Sequence, residues 1–182
     1  MGNDLDVNKN SNSKKLVAWI VAIVIIIGIV VGAVLCWNRF LNNTPTLSPD
    51  FAPKQEEKYA ESMGDENDAK LPQSEGGGAV SLTYSTDVTI NLKDQKAYLY
   101  FGNPTKSNQD MLLQIVVHDT VMAQSNTLVP GKQINKIDLI KDAASKLEPG
   151  GYNGKFVILY YQKDTGEKAA INTDIPVKIT VK

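Results

Sequence analysis

Apolar and polar residues follow three different patterns along this chain. Residues 16–37 are apolar almost without interruption, residues 38–78 are mostly polar, and residues 79–182 contain short apolar runs in which apolar and polar positions alternate. A long unbroken apolar run indicates a helix in an apolar environment, an aperiodic polar stretch indicates a linker, and a period of two indicates β-strands. The chain therefore divides into three regions of different physical character.

The apolar run predicts a transmembrane helix. It reads LVAWIVAIVIIIGIVVGAVLCW and contains no charged residue. At about 1.5 Å per residue it would be roughly 33 Å long, which matches a hydrocarbon core of about 30 Å. A secretory signal has a shorter apolar region that ends in small residues, whereas Leu35 and Trp37 flank the cysteine of this run. An uncleaved signal-anchor at residues 16–37 is therefore favoured over a cleaved signal peptide.

The charges beside the run predict its orientation. Lys9, Lys14 and Lys15 precede it, and only Arg39 follows it closely. The positive-inside rule then places residues 1–15 in the cytoplasm as a short tail. The prediction is a single-pass protein of the cell membrane with an extracytoplasmic C-terminal domain.

Small residues within the run permit a helix–helix contact. Gly28 and Gly32 form a G-x-x-x-G pair, and Cys36 continues the same helical stripe. This spacing lets two helices approach closely, so a homodimer through Gly28 and Gly32 is one hypothesis. Glycine is also frequent in membrane helices generally, so an interpretation without dimerisation stays open. Because Cys36 is the only cysteine, no intramolecular disulfide and no cysteine-based zinc site can form, and an exported domain without disulfides fits a Gram-positive surface.

Residues 38–78 have the composition of a disordered linker. They contain four prolines, a terminal run of three glycines, and eight acidic against four basic residues. Large apolar residues are too few to build a core. A flexible chain of this length would have a mean reach of roughly 35 Å, which would lift the following domain off the membrane.

Residues 79–182 predict a mainly β domain, an Ig-like antiparallel β-sandwich. Val88 and Ile90 alternate with polar neighbours, as do Val177 and Ile179, which is typical of strands with one buried face and one solvated face. Turn signals separate the strands, and only residues 139–147 resemble a helical turn. The length matches one immunoglobulin-sized sandwich. The predicted strands are 80–84, 87–92, 97–101, 111–118, 121–127, 133–140, 156–162 and 175–181.

A motif before the seventh predicted strand is more specific. Leu147, Gly150 and Tyr152 have the spacing Leu-x-x-Gly-x-Tyr. This spacing resembles the tyrosine corner of Greek-key sandwiches, in which the phenol bonds back to the upstream backbone. The alternative is an ordinary turn followed by a tyrosine.

The C-terminal region also resembles a known group of proteins. The strings NPTKSNQDMLLQIVVHDTVMAQSNTLVPGKQI, LEPGGYNGKFVILYY and AAINTDIPVKITV are similar to small surface proteins of Gram-positive gut bacteria. Those proteins have an Ig-like sandwich outside one N-terminal membrane helix. The resemblance covers roughly residues 80–182 and implies topology and fold, with no assigned activity and no catalytic residues.

The residues that usually carry chemistry form no convincing pattern. His118 is the only histidine and is followed by Asp119, with Ser125 nearby in sequence, but no G-x-S-x-G elbow surrounds a serine. Residues 164–167 are too sparse for a calcium loop, and no phosphate-binding loop occurs. The domain carries no arginine for base recognition, so nucleic acid is not an expected partner. The sequence predicts no catalytic residue, no cofactor and no metal.

Outward-facing aromatic and aliphatic residues predict a binding face. Exposed clusters of this kind mark contact sites, and a wall glycan or a protein is the expected partner. The alternative is that a flanking strand or loop covers these side chains. Strand alternation places five residues on outer faces: Tyr98, Tyr100, Val157, Leu159 and Tyr161.

Together these features predict a membrane-anchored, non-catalytic module at the cell surface with a binding or structural role. The alternative is an accessory subunit of a cell-envelope assembly, such as a conjugation or secretion apparatus. The glycine stripe and the long spacer suit both hypotheses equally well.

Overall fold

A computed structural model of the chain describes residues 15, 17–32, 47–64, 67–73 and 77–182. Contacts divide the chain into two units, Met1–Thr44 and Pro45–Lys182.

The first unit contains one described helix, α1, which covers residues 17–32. Its side chains, including Trp19 and Ile29, are exposed. Within the described ranges, no helix has both the length and the apolar character needed to cross a membrane. The predicted membrane segment is described only in part, since residues 16 and 33–37 lie outside the described residues. Residues 1–14 of the predicted cytoplasmic tail also lie outside them.

The second unit is mainly β. Its strands form one hydrogen-bonded sheet in the order β1-β7-β4-β3-β9-β8-β5-β6, with β2 pairing to β4 off this path. A 3-10 turn, Ala144–Lys146, falls inside the stretch that resembled a helical turn. The strands are β1 (Glu61–Ser62), β2 (Thr83–Tyr84), β3 (Asp87–Asn91), β4 (Lys96–Asn103), β5 (Gln109–Val117), β6 (Thr120–Gln124), β7 (Lys132–Asp138), β8 (Gly150–Gln162) and β9 (Lys168–Val181).

Strand β3 joins the two halves of the sheet. It runs antiparallel to β4, where Thr89 lies opposite Tyr98, and parallel to β9, where Val88 lies opposite Ile179. The prediction of a purely antiparallel sandwich is therefore wrong at this pair. Strands β3 and β9 are far apart in the chain, so no hairpin forces them to be antiparallel. By this pairing the sheet curls and encloses a core.

The alternating residues supply that core. Val88 and Ile90 on β3 and Val177 and Ile179 on β9 are all buried in one apolar cluster. The rings of Phe101 and Phe156 meet edge to face inside it, with centroids 6.2 Å apart. Such offset aromatic pairs stabilise a core beyond the area that they bury.

The last two strands are longer than the sequence predicts. Strand β8 begins at Gly150 and β9 begins at Lys168, whereas the predicted strands begin at 156 and 175. The two strands pair antiparallel from Gly150 opposite Val181 to Tyr161 opposite Lys168. The two strands therefore include residues of weak strand propensity, because the pairing between the strands outweighs the intrinsic preference of each residue for other conformations.

Much of the predicted linker packs on the domain. We call residues 47–64 the strap. The strap amide of Ala52 donates to the Gly166 carbonyl at 2.8 Å, and β1 at the end of the strap pairs with β7. The next described residues, 67–73, also contact the domain, since the Leu71 amide donates to the Lys106 carbonyl at 2.8 Å.

The predicted disorder is therefore wrong for residues 47–64 and 67–73. Composition indicates only that a segment has no core of its own. The strap instead uses the domain as its partner, for its backbone groups and for its few apolar side chains. The other residues of the predicted linker, 38–46, 65–66 and 74–76, lie outside the described residues, whereas 77–78 are described.

Candidate binding surfaces

Strands β4 and β7 present an aromatic and basic outer surface. Register places Tyr98 opposite Lys136 and Lys96 opposite Asp138. The strap adds Tyr59 and Lys58, both of which contact this side of the sheet. We call Lys58, Tyr59, Lys96, Tyr98 and Lys136 the tyrosine–lysine surface.

Tyr59 contacts two cations and a carboxylate. The Lys58 and Lys136 ammonium groups lie 4.9 Å and 5.1 Å from its ring centroid, within the range of a cation–π contact. Its hydroxyl donates to Asp138 Oδ1 at 2.9 Å. Partial burial raises the pKa of Asp138, but hydrogen bonds from Lys58 and Tyr59 outweigh that effect and lower the pKa overall. A charged Asp138 therefore fixes the strap residues on the sheet.

The predicted pair Tyr98 and Tyr100 differs in exposure. Tyr98 is 38% exposed, and its hydroxyl donates to Asp94 at 3.1 Å. That hydrogen bond is the main cause of the raised pKa of Tyr98. Tyr100 is half-buried and donates to Gln133 Oε1 at 3.0 Å. Tyr98 is thus the more accessible of the two rings.

The other predicted binding residues lie beneath the strap. Leu159 and Tyr161 are fully buried with Leu112 in a small cluster, against which Ala52 and the half-buried Val157 pack. The prediction that Leu159 and Tyr161 are exposed is therefore wrong. The alternative prediction, that a loop covers these side chains, fits them, because the strap packs over them. Strands β3 and β9 also separate this cluster from Tyr98 in the sheet order. The structure does not bring the two groups together.

One hydrogen bond fixes the start of the strap over this cluster. The Tyr161 hydroxyl donates to the Pro49 carbonyl at 3.0 Å. Burial raises the pKa of Tyr161 to about 12, with a smaller contribution from the charge of Asp50. The phenol is therefore neutral at physiological pH and available as a donor.

Sequence reasoning missed the contributions of Lys58 and Tyr59, because both lie in the predicted linker. A tyrosine within an otherwise polar and acidic stretch was the only local signal. A third strap residue, Glu57, is buried, and its Oε2 accepts the Asn126 amide at 2.8 Å. Nothing local distinguishes Glu57 from the exposed acids around it.

The Leu-x-x-Gly-x-Tyr motif forms a closed turn before β8. The Tyr152 hydroxyl donates to the Glu148 carbonyl at 3.0 Å and accepts the Glu148 amide at 3.2 Å. Leu147 is buried in the core. Gly150 has φ 154°, a conformation that L side chains rarely adopt. The three residues thus act together to set the start of the strand.

The possible catalytic residues do not form a site. His118 and Asp119 occupy the tight turn between β5 and β6, both with positive φ, and the His118 ring packs edge to face on Tyr152. Ser125 is buried, and its hydroxyl accepts the Leu113 amide at 2.9 Å. Among the residues that the structure describes, no group of three or more His, Cys, Asp or Glu residues could hold a metal ion.

Comparisons with known proteins give structural neighbours of low sequence identity. No protein-family model and no curated protein matches the chain. Among solved structures, AggA, the major subunit of aggregative adherence fimbriae type I from Escherichia coli, is 10% identical over 63% of this chain and 100% of its own, with a TM-score of 0.30. The E. coli chaperone DraB is 9% identical over 58% of this chain and 55% of its own, with a TM-score of 0.38. The periplasmic chaperone SfaE is 13% identical over 57% of this chain and 56% of its own, with a TM-score of 0.35.

This chain spans about half the length of either chaperone. Likenesses with TM-scores this low carry no argument about function. The strands of the second unit show the structural class: it is mainly β, with a curled sheet that encloses the main core.

Proposed function

We propose that the protein is a non-catalytic binding module, an Ig-like β-sandwich held outside the cell by its N-terminal helix. Its tyrosine–lysine surface is the binding site, and a cell-wall glycan is the proposed ligand. The observation that carries the proposal is the exposed Tyr98 ring, which lies opposite Lys136, the residue whose ammonium group contacts the Tyr59 ring.

The exposure of α1 supports the membrane anchor. Trp19 and Ile29 point to different sides of the helix, and both are exposed. A helix with large apolar side chains on all sides is stable only when an apolar environment surrounds it. The apolar sequence continues to residue 37, which gives the roughly 20 residues that a bilayer requires. By the positive-inside rule, the lysines before it favour a second unit outside the cell.

Two features support the Ig-like classification. The Tyr152 hydroxyl bonds to the backbone of Glu148, as in the tyrosine corner of these folds. Strand β8, which follows this corner, lies in the sheet between β5 and β9. An Ig-like sandwich presents broad, rigid outer faces, and the tyrosine–lysine surface lies on one of them.

The chemistry of this surface suits a polar polymer. A tyrosine offers a flat apolar ring for sugar stacking and a hydroxyl for hydrogen bonds. Lys58 and Lys96 both pair with Asp138, so the three lysines, Lys58, Lys96 and Lys136, exceed this one carboxylate in charge and offer the surplus to anionic groups. Tyr59 is already fixed by its contacts, so little side-chain entropy is lost on binding.

The test measures binding of the full-length protein, reconstituted in nanodiscs, to isolated cell-wall material. The double variant Tyr59→Ala with Tyr98→Ala is expected to weaken binding by about tenfold or more, because aromatic anchors dominate binding energy. Tyr84→Ala is the matched control, since Tyr84 is 41% exposed and pairs with Phe101, which is not a member of the tyrosine–lysine surface. Equal binding by all three proteins would refute the tyrosine–lysine surface as the site.

A second candidate function, a subunit of an envelope assembly, is favoured by the open glycine positions on α1. A Cβ atom added at Gly28 or Gly32 would meet no atom of the described residues within 4 Å, and small residues at this spacing give room for a partner helix. Crosslinking in intact cells followed by mass spectrometry separates the two functions. Capture of several envelope proteins in fixed proportion, lost in Gly28→Ile with Gly32→Ile, would favour the assembly subunit. Capture of the protein alone or of wall glycan would favour the binding module.

A further inference from the structure

A groove opens on the sheet where β5 turns into β6. Its lining combines the turn residues of this hairpin with residues of β8 and β9. Its volume of about 490 Å³ falls within the range of roughly 300–1,000 Å³ that is typical of small-molecule sites. We call it the hairpin groove. The lining residues that matter most for a ligand are His118, Asp119, Asn153, Lys155, Asp174 and Pro176.

Strand register brings these residues together. Lys155 on β8 lies opposite Val116 on β5 and opposite Pro176 on β9. His118 and Asp119 form the two-residue turn that follows β5. The groove is thus built from three neighbouring strands and one turn of the folded sheet.

The hairpin turn holds two side chains at positions that favour glycine or asparagine. His118 has φ 47° and Asp119 has φ 56°, and two-residue turns with positive φ at both positions prefer Asn-Gly. Both side chains are exposed. The His118 ring packs on Tyr152, with centroids 5.7 Å apart. Residues kept in uncommon backbone conformations point to a function of their side chains.

The charges in the groove are unbalanced. The Lys155 ammonium group pairs with Asp174 at 2.8 Å, and this hydrogen bond is the main cause of the raised pKa of Lys155. The charge of Asp119 adds to the same rise, so a second carboxylate acts on this ammonium group. With His118 neutral, two carboxylates and one lysine leave the groove with a surplus negative charge. A cationic group on a ligand would complement it.

The remaining groups suit a sugar ring. Asn153 offers amide donors and a carbonyl acceptor, and a neutral His118 offers one donor and one acceptor. Val116 and Pro176 add apolar surface to the lining, on which the C–H groups of a sugar can pack. Small-molecule sites combine apolar surface and a few polar groups in this way. We propose that the hairpin groove binds a saccharide that carries a free amino group, with its ammonium group beside Asp119.

The hairpin groove is independent of the proposed tyrosine–lysine site. That surface lies on β4, β7 and the strap and has a surplus of lysines, whereas the groove lies on β5, β8 and β9 and has a surplus of carboxylates. The two would therefore take ligands of opposite charge.

The test compares two disaccharides by isothermal titration calorimetry on the full-length protein in phosphatidylcholine nanodiscs. One is a disaccharide of glucosamine with free amines, and the other is the same molecule with both amines acetylated. The free-amine form is expected to bind about tenfold more tightly, because a charge-assisted hydrogen bond is roughly twice as strong as a neutral one. Zwitterionic lipid is chosen because anionic lipid would itself attract the amine.

Asp119→Asn is expected to abolish this preference and to leave the affinity for the acetylated disaccharide unchanged. Asparagine tolerates positive φ as aspartate does, so the turn is retained. Asp164→Asn is the matched control, since Asp164 is an exposed carboxylate in the turn between β8 and β9, and it is expected to keep the preference. Tyr59→Ala with Tyr98→Ala is expected to keep it as well.

Three results would overturn the proposal: equal affinity for the two disaccharides, no binding of either at millimolar concentration, or an unchanged preference in Asp119→Asn. Loss of the preference in Tyr59→Ala with Tyr98→Ala would also overturn it, because the sugar would then occupy the tyrosine–lysine surface. The amide of Nα-acetyl-lysine presents an ammonium group without a sugar. If it bound as tightly as the free-amine disaccharide, a saccharide would be refuted as the ligand class.

Discussion

Tyr161→Phe isolates the hydrogen bond that holds the start of the strap. The substitution removes only the hydroxyl that donates to the Pro49 carbonyl at 3.0 Å, and the ring stays in its buried cluster. The Pro49 carbonyl then loses its side-chain donor. The strap is expected to open more often while the sheet beneath it stays folded.

The expected magnitude follows from the chemistry of one such bond. A net intramolecular hydrogen bond contributes about 1 kcal/mol, which corresponds to a roughly fivefold larger population of the open strap. The loss should be local, because the apolar contact between Ala52 and the cluster remains.

Hydrogen exchange of the full-length protein measures this opening directly. The informative amides are Ala52, which donates to Gly166, and Lys168, which donates to Asp50. Both are expected to exchange about fivefold faster in Tyr161→Phe. Tyr160→Phe is the control, since its hydroxyl bonds Thr173 at 2.8 Å on the opposite, core-facing side. Unchanged exchange at Ala52 and Lys168 in Tyr161→Phe, or the same acceleration in Tyr160→Phe, would refute the reasoning.

The same phenol predicts a pH dependence. Its pKa is about 12 in the folded protein and 10.0 without the burial that raises it. The unfolded chain therefore loses the proton first, so this contribution to stability is full below pH 10 and falls as the pH rises towards about 12. Tyr161→Phe is expected to flatten the decline of the thermal midpoint over this window.

Three further substitutions test other contacts. Glu57→Ala leaves the Asn126 amide unpaired and is expected to lower the free energy of unfolding by about 2 kcal/mol in urea titrations; a change near zero would contradict the role of the buried carboxylate. Burial raises the pKa of Asp110, and its Oδ1 is buried without a hydrogen bond. Asp110→Asn is therefore expected to stabilise the protein at neutral pH, where the carboxyl is charged. The gain should vanish below pH 3.8, because the carboxyl of the unfolded chain is itself protonated there. Asp174→Asn breaks an exposed ion pair with Lys155 and is expected to leave the urea midpoint unchanged.

Local sequence patterns predicted which side of each strand faces the core. Phe156, Ile158 and Tyr160 point into the main cluster, and Leu159 and Tyr161 point to the opposite face. This assignment depends only on the two-residue period of a strand, which the sequence displays directly. The helix at residues 16–37 is likewise predicted from the apolar composition of the run alone. Residues 17–32 of this run are described as helical.

Tertiary structure decided what covers those faces. Tyr161 is buried because Pro49 lies over it, and 112 positions separate the two residues. The strap has few apolar side chains and many charges, so its composition indicates disorder. Only the finished sheet offers it the backbone partners and the apolar cluster that hold it in place.

The candidate site also combines features that local sequence patterns predict with features that only contacts between distant residues create. The sequence placed Tyr98 and Tyr100 on an outer face through alternation, but it gave no sign that Lys58 and Tyr59 would join them. It also could not determine that β3 runs parallel to β9, because pairing between distant strands leaves no local pattern. The apolar helix, the strands and their inward residues can be predicted from local patterns, since these features depend on neighbours in the chain. The tertiary structure alone determined the strap, the parallel pair and the surfaces that stay exposed, since these depend on contacts between distant residues.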